Sequence, residues 1–226
     1  MHERLVRESE KKRLMGLFNT LLDFFGEQRW WPAKTKFEVV IGAILTQNTS
    51  WTQVEKALIQ LRKHKLLDPE SICNESLDSI AESIKPAGYF NQKAAYLKEF
   101  CSHLRDQYNY SLNSMLTKEL PVLRQELLSL NGFGPETADS IILYAANKPV
   151  FVIDAYTKRI MKRLGLTEEQ SYSGLQDFFH SNLPKNAKLF NEFHALLVAL
   201  AKNYCLKKEP LCIKCPVRLQ CSKLMD

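Results

Sequence analysis

Residues 130–139 read LNGFGPETAD, which is a break in an otherwise helical stretch of the chain. Before the break, leucines recur at helical spacing from residue 120, and after it the alanines and isoleucines of residues 138–145 form a second apolar stripe. Pro135 stands where the first turn of a helix tolerates a proline. The pattern predicts two helices that meet at a tight turn.

The turn itself contains two glycines, Gly132 and Gly134. Glycine permits positive φ, so successive backbone N–H groups are able to point outward beside the N-terminus of the second helix. Such an arrangement binds anions, among them a DNA phosphate. Two helices joined by a glycine turn are also common without any ligand. The turn alone therefore leaves phosphate binding and a purely structural hairpin open.

The rest of the chain carries helical periodicity too, as in residues 14–25 and 54–61. Strand-like alternation is scarce, and its best example, PVFVID at 149–154, is interpreted as an apolar entry into a helix that Asp154 begins. An aspartate there is usually only a helix cap, so a catalytic role stays open at this point. The predicted fold class is all-α.

The composition is ordinary for a globular protein, with 45% apolar residues and a net charge of +6. A basic chain suits a partner made of phosphates, although many basic proteins bind no nucleic acid. The N-terminal segment is charged throughout, and the later apolar runs are too short to span a bilayer. We therefore expect no membrane partner and a cytoplasmic protein, associated with the nucleoid through DNA.

Four of the six cysteines crowd the C-terminal end with the spacing C-x6-C-x2-C-x5-C: Cys205, Cys212, Cys215 and Cys221. A cytosolic chain keeps its thiols reduced, so the crowding indicates a metal rather than disulfides. The spacing leaves zinc, an iron–sulfur cluster and a bare group of thiols open. The other two cysteines and four histidines, His194 among them, lack ligand-like spacing and are assigned no role.

The stretch LLSLNGFGPETADSIILYA, followed by VIDAYTKRIMKRLG, resembles the hairpin and catalytic-aspartate segment of the helix-hairpin-helix DNA glycosylases, the endonuclease III superfamily. FEVVIGAILTQNTSW is similar to the segment whose glutamine enters the gap left by a flipped nucleotide, and AGYFNQKA to a further family segment. WWP, LTQNT, FNQKA and G-x-E-[ST]-A-D also resemble a bacterial 3-methyladenine glycosylase subgroup. Some members of that subgroup lack the cysteine loop, whereas this chain has all four cysteines.

The resemblance covers most of the chain and implies a two-domain endonuclease III-like fold. A six-helix barrel domain at 34–148 would carry the helix-hairpin-helix at about 123–145. Residues 1–33 and 149–226 would form a discontinuous helical domain. The resemblance also implies a [4Fe-4S] cluster on the four cysteines, in a loop at 205–221, and a monomeric protein.

Family members that also cut the DNA backbone carry a lysine in the hairpin, and Glu136 stands at that place in the G-x-G-x-x-T-A alignment. A carboxylate cannot form the imine that such a lysine forms with the sugar. The resemblance therefore implies a monofunctional glycosylase, in which Asp154 stabilises the oxocarbenium-like sugar as the catalytic carboxylate. The expected partner is double-stranded DNA with a damaged base, and the expected product is an abasic site.

An alkylated purine such as 3-methyladenine is cationic, which favours stacking on electron-rich rings beside a carboxylate. We expect Trp51 and Glu136 to contact the base, with Trp30 or Trp31 on its other face, although tryptophans at such places are more often core. Removal of mismatched uracil or thymine, a lyase with another amine, and a DNA-binding module with a structural metal remain alternatives. The DNA contacts that the resemblance implies are Gln47, Asn48, Gly132, Phe133, Gly134, Lys158 and Arg159.

Overall fold

A computed structural model of the chain describes residues 2–223, and every regular element in that part of the chain is helical. The helices are α1 (His2–Phe25), α2 (Lys36–Leu45), α3 (Trp51–Lys63), α4 (Pro69–Asn74), α5 (Leu77–Ser83), α6 (Phe90–Tyr108), α7 (Leu112–Leu116), α8 (Leu120–Leu128), α9 (Pro135–Ser140), α10 (Ala155–Leu164), α11 (Tyr172–Asn182) and α12 (Ala187–Asn203). Short 3-10 turns lie at Lys85–Ala87 and Cys212–Lys214, and α9 continues as a π-helical segment, Ile141–Ala145. None of the described helices is long and apolar enough to cross a membrane.

The helices form two compact units, Trp31–Lys148 and the discontinuous pair Met1–Trp30 with Pro149–Asp226. The sequence prediction places the boundaries after residues 33 and 148. The unit of residues 31–148 is organised around α2, which is buried from Phe37 to Leu45. A helix that is apolar on all sides belongs in the centre of a core, and α2 packs on α3, α6, α9 and the π-helical segment.

Helix ends in this unit follow from local chemistry. Polar residues before α2, α4, α5 and α7 accept hydrogen bonds from backbone N–H groups in the first turn, as Thr35 does from Glu38. The TQNTS stretch forms a short connection between Leu45, where α2 ends, and Trp51, where α3 begins, and only Asn48 and Ser50 in it are exposed. The chain thereby leaves the buried helix α2 and places Gln47 and Trp51 at half-buried positions.

The second unit has an aromatic core. Phe151 is fully buried and stacks on Phe179, with ring centroids 3.8 Å apart, and it also meets Phe190 and Phe193 of α12 edge to face. Residues 150–153 are buried but not in a strand, and α10 follows directly after Asp154. The interpretation of this run as an entry into a helix is confirmed.

Candidate active site

The turn between α8 and α9 depends on Gly132. Its φ of +80° lies in the left-handed region, and a Cβ built there would lie under 3.0 Å from three atoms of the Tyr96 ring. Gly134 does not have the positive φ that the sequence suggested, because it is extended, with φ −79°, and begins α9. A Cβ on Gly134 would meet nothing within 4 Å among the described residues. The turn therefore requires glycine at 132, whereas the space beside Gly134 is open.

Two polar interactions hold the hairpin in place. Asp139 of α9 is fully buried, and Arg124 of α8 donates to both of its oxygens, at 2.7 and 3.2 Å. Asn131 in the turn donates from its backbone and its side chain to the carboxylate of Glu99 in α6, at 2.9–3.0 Å. Both helices of the hairpin and its turn are thus tied to the same unit.

Phe133 is one of the DNA contacts that the resemblance implies, but its side chain lies in the interior of the unit. Its ring is buried and stacks on Phe100 of α6, with centroids 5.7 Å apart. Its backbone N–H donates to the carbonyl of Leu130 at 3.2 Å. Both groups are engaged within the protein, so Phe133 anchors the hairpin, and the glycines on either side remain the predicted phosphate contacts.

Gln47 lies beside this turn. Its Nε2 donates to the carbonyl oxygen of Gly132 at 2.8 Å and to Oγ1 of Thr137 at 3.0 Å. Asn48 is exposed and has a positive φ of 55°, which asparagine adopts more readily than most residues. The connection after α2 and the hairpin therefore form one continuous polar surface, and contact of Gln47 and Asn48 with DNA remains a prediction.

Three half-buried aromatic rings meet in the same unit. Trp31 contacts Trp51 edge to face, with centroids 5.2 Å apart, and Tyr144 at 5.0 Å and an interplanar angle of 56°. Gly42 of α2 makes room for Trp31, since a Cβ there would lie 3.1 Å from the indole ring. Sequence reasoning missed Tyr144, which lies on the π-helical segment. Such segments frequently mark functional sites.

The geometry of these rings also changes the expected base contact. A base held between parallel rings needs them about 7 Å apart, because each stacking contact takes about 3.5 Å. Trp31 and Trp51 are closer and perpendicular, so this arrangement leaves no gap between them for a base. Trp30 belongs to the other unit, where Lys202 Nζ lies 6.0 Å from its ring centroid. Trp31 is therefore the tryptophan of the WWP pair that joins Trp51 within one unit.

Two further side chains bear on the chemistry of this unit. Glu136 is exposed in the first turn of α9, where the helix dipole favours a carboxylate. Lys93 of α6 is 1% exposed and donates to the carbonyl oxygens of Leu45 and Ala87, both at 2.8 Å. Burial lowers the pKa of Lys93 to about 8. In the sequence, the only indication that this lysine is buried is its position among apolar residues of α6. Its two hydrogen bonds to backbone carbonyls give it a structural role.

Asp154 caps α10 in the discontinuous unit. Its Oδ1 accepts a hydrogen bond from the backbone N–H of Thr157 at 2.7 Å, and its Oδ2 lies 3.6 Å from Nε2 of the buried His194. Burial alone would raise the pKa of Asp154, but the electrostatic interaction with His194 and the hydrogen bonds from Thr157 together hold that pKa below its usual value. The carboxylate is therefore ionised at neutral pH. His194 had no role in the sequence prediction.

The two basic residues that follow Asp154, Lys158 and Arg159, have different surroundings. Lys158 is half-buried in the first turns of α10. Arg159 directs its guanidinium to the carbonyl oxygens of Cys205 and Ala201, at 2.9 and 3.4 Å. Arg159 thus holds the start of the cysteine loop, and DNA contact by Lys158 and Arg159 remains a prediction.

The four cysteines of the loop line one small cavity, together with apolar residues of α10 and α12. All four are free thiols, each partly exposed. Burial, with the charges of the other three cysteines, raises the pKa of Cys215. Among residues 2–223, no three His, Cys, Asp or Glu side chains converge as the ligands of one metal ion would. The four thiols therefore line one cavity, and a metal group bound by them remains a prediction.

The chain has a helix-hairpin-helix, a carboxylate that caps α10 and a loop with four cysteines. These features together are those of a helix-hairpin-helix protein of the DNA repair class. A family model, the HhH-GPD superfamily base excision DNA repair protein, matches residues 41–185. The chain belongs to this superfamily and is a DNA repair glycosylase.

Three known proteins place the chain within the family. It is 44% identical over 218 residues to a protein of Methanocaldococcus jannaschii provisionally named a DNA repair glycosylase, covering 96% of this chain and 99% of the relative. It resembles the H. pylori 3-methyladenine DNA glycosylase solved with 1,N6-ethenoadenine, at 30% identity and a TM-score of 0.73, over 87% of this chain and 97% of the other. A non-covalent endonuclease III–DNA complex has a TM-score of 0.82 at 22% identity, over 94% and 95%. The predicted endonuclease III-like fold is confirmed.

Proposed function

We propose that the chain is a monofunctional DNA glycosylase that hydrolyses the N-glycosyl bond of an alkylated purine, such as 3-methyladenine, in double-stranded DNA and leaves an abasic site. The observation that carries this proposal is the half-buried and ionised carboxylate of Asp154 at the start of α10. We expect the protein to act as a monomer in the cytoplasm, at the nucleoid.

Asp154 supplies the charge that the reaction needs. As the bond between the sugar C1′ and the base breaks, the electron pair leaves with the base and positive charge develops on the sugar. A carboxylate held in place stabilises that charge without reorganising. Water adds to C1′, and its proton passes to Asp154 or to solvent. A cationic alkylpurine becomes neutral as it leaves, so the reaction needs no strong general acid.

The aromatic rings of the 31–148 unit support an alkylated purine as the substrate. A cationic base is attracted to the faces of electron-rich rings, and Trp51 and Tyr144 flank Trp31 in a half-buried group. Because Trp31 and Trp51 meet edge to face, the base stacks on an outer face of this group or displaces one ring. The exposed carboxylate of Glu136 adds negative charge in the same unit.

Residues 93 and 136 of the 31–148 unit support hydrolysis without strand cleavage. A lyase needs an amine that attacks C1′ and forms an imine. Glu136 stands where the resemblance implies that lysine, and Lys93 is buried and bonded to two backbone carbonyls. Neither residue supplies a reactive amine to DNA.

We further propose that Cys205, Cys212, Cys215 and Cys221 hold a [4Fe-4S] cluster. The support for this proposal is that all four cysteines line one cavity and that thiolates are the ligands of such clusters, and the same four thiols also suit zinc. When bound, the cluster fixes the fold of the loop, and hydrolysis requires no electron transfer. Exposed basic residues in this loop suit DNA phosphates: Lys207, Lys208, Lys214 and Arg218. Iron, sulfide and zinc analysis of the purified protein distinguishes the cluster from zinc and from bare thiols.

Single-turnover base release tests the function. Duplexes with 3-methyladenine, 7-methylguanine, uracil or thymine glycol are incubated with the wild type and with Asp154→Asn, and strands are analysed with and without alkali. We expect alkylpurine release, strand breaks only after alkali, and loss of release in Asp154→Asn with duplex affinity retained. Strand scission without alkali contradicts the monofunctional assignment, and preferred release of uracil or thymine favours a mismatch enzyme. Binding without release of any base points to a DNA-binding module.

A further inference from the structure

His194 is a buried polar side chain in an otherwise apolar part of α12. Its neighbours Phe193 and Ala195 are buried, and its own side chain is 7% exposed. The ring meets Phe151 edge to face at 6.4 Å. Burying an imidazole among apolar groups is costly unless it gains a specific interaction. Its position opposite Asp154 provides such an interaction.

Asp154 and His194 are brought together by the packing of α10 on α12. The two oxygens of the carboxylate have different surroundings: Oδ1 accepts from Thr157 N–H at 2.7 Å, and Oδ2 faces His194 Nε2 at 3.6 Å. The first contact is a short hydrogen bond. The second is longer than a hydrogen bond and within the range of an ion pair. One oxygen is thus fixed by the helix and the other by the histidine.

We propose that His194 is a positioning residue, which fixes the orientation of the half-buried carboxylate of Asp154 from the other side of the helix cap. The proposal rests on the proposed function, in which Asp154 acts at the sugar. It adds a residue that itself touches neither the sugar nor the base.

The electrostatic part of this role follows from the groups that face His194. From α10, the charged group is Asp154, and the segment before α10 contributes the ring of Phe151. Helices α1 and α11 contribute the apolar side chains of Leu14, Leu17, Leu21 and Phe179 to the core of this unit. In such apolar surroundings the interaction with His194 lowers the pKa of Asp154, and its removal leaves burial opposed by the helix N-terminus and the hydrogen bonds from Thr157.

Two substitutions separate orientation from charge. His194→Phe removes both, whereas His194→Gln keeps a polar group without a charge. Activity requires ionised Asp154, so it is present above the pKa of Asp154 and is lost as the pH falls through it. Loss of the interaction with His194 raises that pKa, so the acid limb of the rate profile moves to higher pH.

The experiment measures single-turnover base release from about pH 3 to 8.5 on the duplex that the wild type cleaves fastest, with release in the absence of enzyme subtracted, because the pKa of Asp154 lies below the usual value of about 3.9. We expect His194→Phe to release base at least tenfold more slowly at pH 7.5, with affinity for an abasic-analogue duplex within twofold. His194→Gln is expected to recover much of the rate at high pH and to keep the shifted acid limb. A control, His180→Gln, changes a histidine of the same unit that accepts a hydrogen bond from Phe151 N–H at 2.9 Å, and its acid limb stays that of the wild type.

The outcomes are distinct from those that test the function. If Asp154→Asn is inactive but both His194 variants keep the wild-type rate and profile, the role of His194 is refuted and that of Asp154 stands. If Asp154→Asn releases base, the proposed function fails first. Thermal unfolding of each variant guards against a folding defect. Where His194→Phe does not fold, His194→Gln decides, since an unshifted acid limb in that variant also refutes the proposal.

Discussion

Replacing Gly132 by alanine should destabilise the protein, whereas the same change at Gly134 should leave its stability almost unchanged. At Gly132 the backbone has a φ of +80°, and the added methyl group would overlap the ring of Tyr96. At Gly134 the backbone is extended, and an added methyl group meets no described atom within 4 Å. The two glycines are two residues apart in one turn, so each is a matched control for the other.

The magnitude at Gly132 has two parts. A non-glycine residue in the left-handed region costs about 1 kcal/mol. Overpacking against an aromatic ring adds about 1–3 kcal/mol, because the half-buried ring of Tyr96 can give way only in part. The expected loss in the free energy of unfolding is therefore about 2–4 kcal/mol for Gly132→Ala. For Gly134→Ala we expect a change of less than about 0.5 kcal/mol.

Urea unfolding followed by circular dichroism measures both variants, and a third variant isolates the clash. In a Tyr96→Ala background the steric part disappears, so Gly132→Ala should then cost only the backbone term of about 1 kcal/mol. Equal losses at Gly132 and Gly134, or an undiminished loss in the Tyr96→Ala background, would refute this account of the turn. Gly134→Ala has a separate use, since weaker duplex binding at unchanged stability would support close approach of a phosphate there.

Three further changes test other parts of the structure. The unfolding free energy of the wild type should rise between about pH 8 and 10.5, because in this range the unfolded state still binds the proton that Lys93 has lost in the folded state. Urea titrations should show that the unfolding free energy of Lys93→Met depends less on pH. Arg124→Met removes the bidentate partner of buried Asp139, so we expect a loss of about 3 kcal/mol in the same assay, and no loss would contradict the ion pair. Glu136→Lys places an amine at the hairpin, and borohydride should then trap a covalent complex with abasic duplex that the wild type does not form.

Local patterns in the sequence predicted the parts of the site that depend on neighbouring residues. The glycine turn, the helix that Asp154 begins and the cysteine spacing each lie within a short segment, so their chemistry is visible in the order of residues. His194, Lys93 and Tyr144 escaped this reasoning because each is a polar or aromatic position in an apolar helical stripe. What such a residue faces is set by another helix, which periodicity does not identify.

Phe133 shows another limit of sequence reasoning. The resemblance implies that Phe133 contacts DNA, and the sequence does not show that its ring is buried. The ring faces inward because Phe100 of α6 offers a stacking partner within the same unit, while contact between the backbone of Phe133 and DNA stays a prediction. Burying a phenylalanine contributes about 2 kcal/mol or more to stability, which explains why the ring turns inward while the glycines beside it stay at the surface.

Helix α10 links Asp154, the proposed catalytic carboxylate, to the cysteine loop. Asp154 caps its N-terminus, while Arg163 near its C-terminus is buried and donates to the carbonyl oxygens of Leu206 and Lys207, at 2.6 and 3.1 Å. A disordered loop would withdraw these acceptors and leave a buried guanidinium poorly paired, which costs several kcal/mol. The loop therefore stabilises the helix whose first turn fixes Asp154. If the proposed cluster orders the loop, this connection is how it would stabilise the first turn of α10 without any electron transfer.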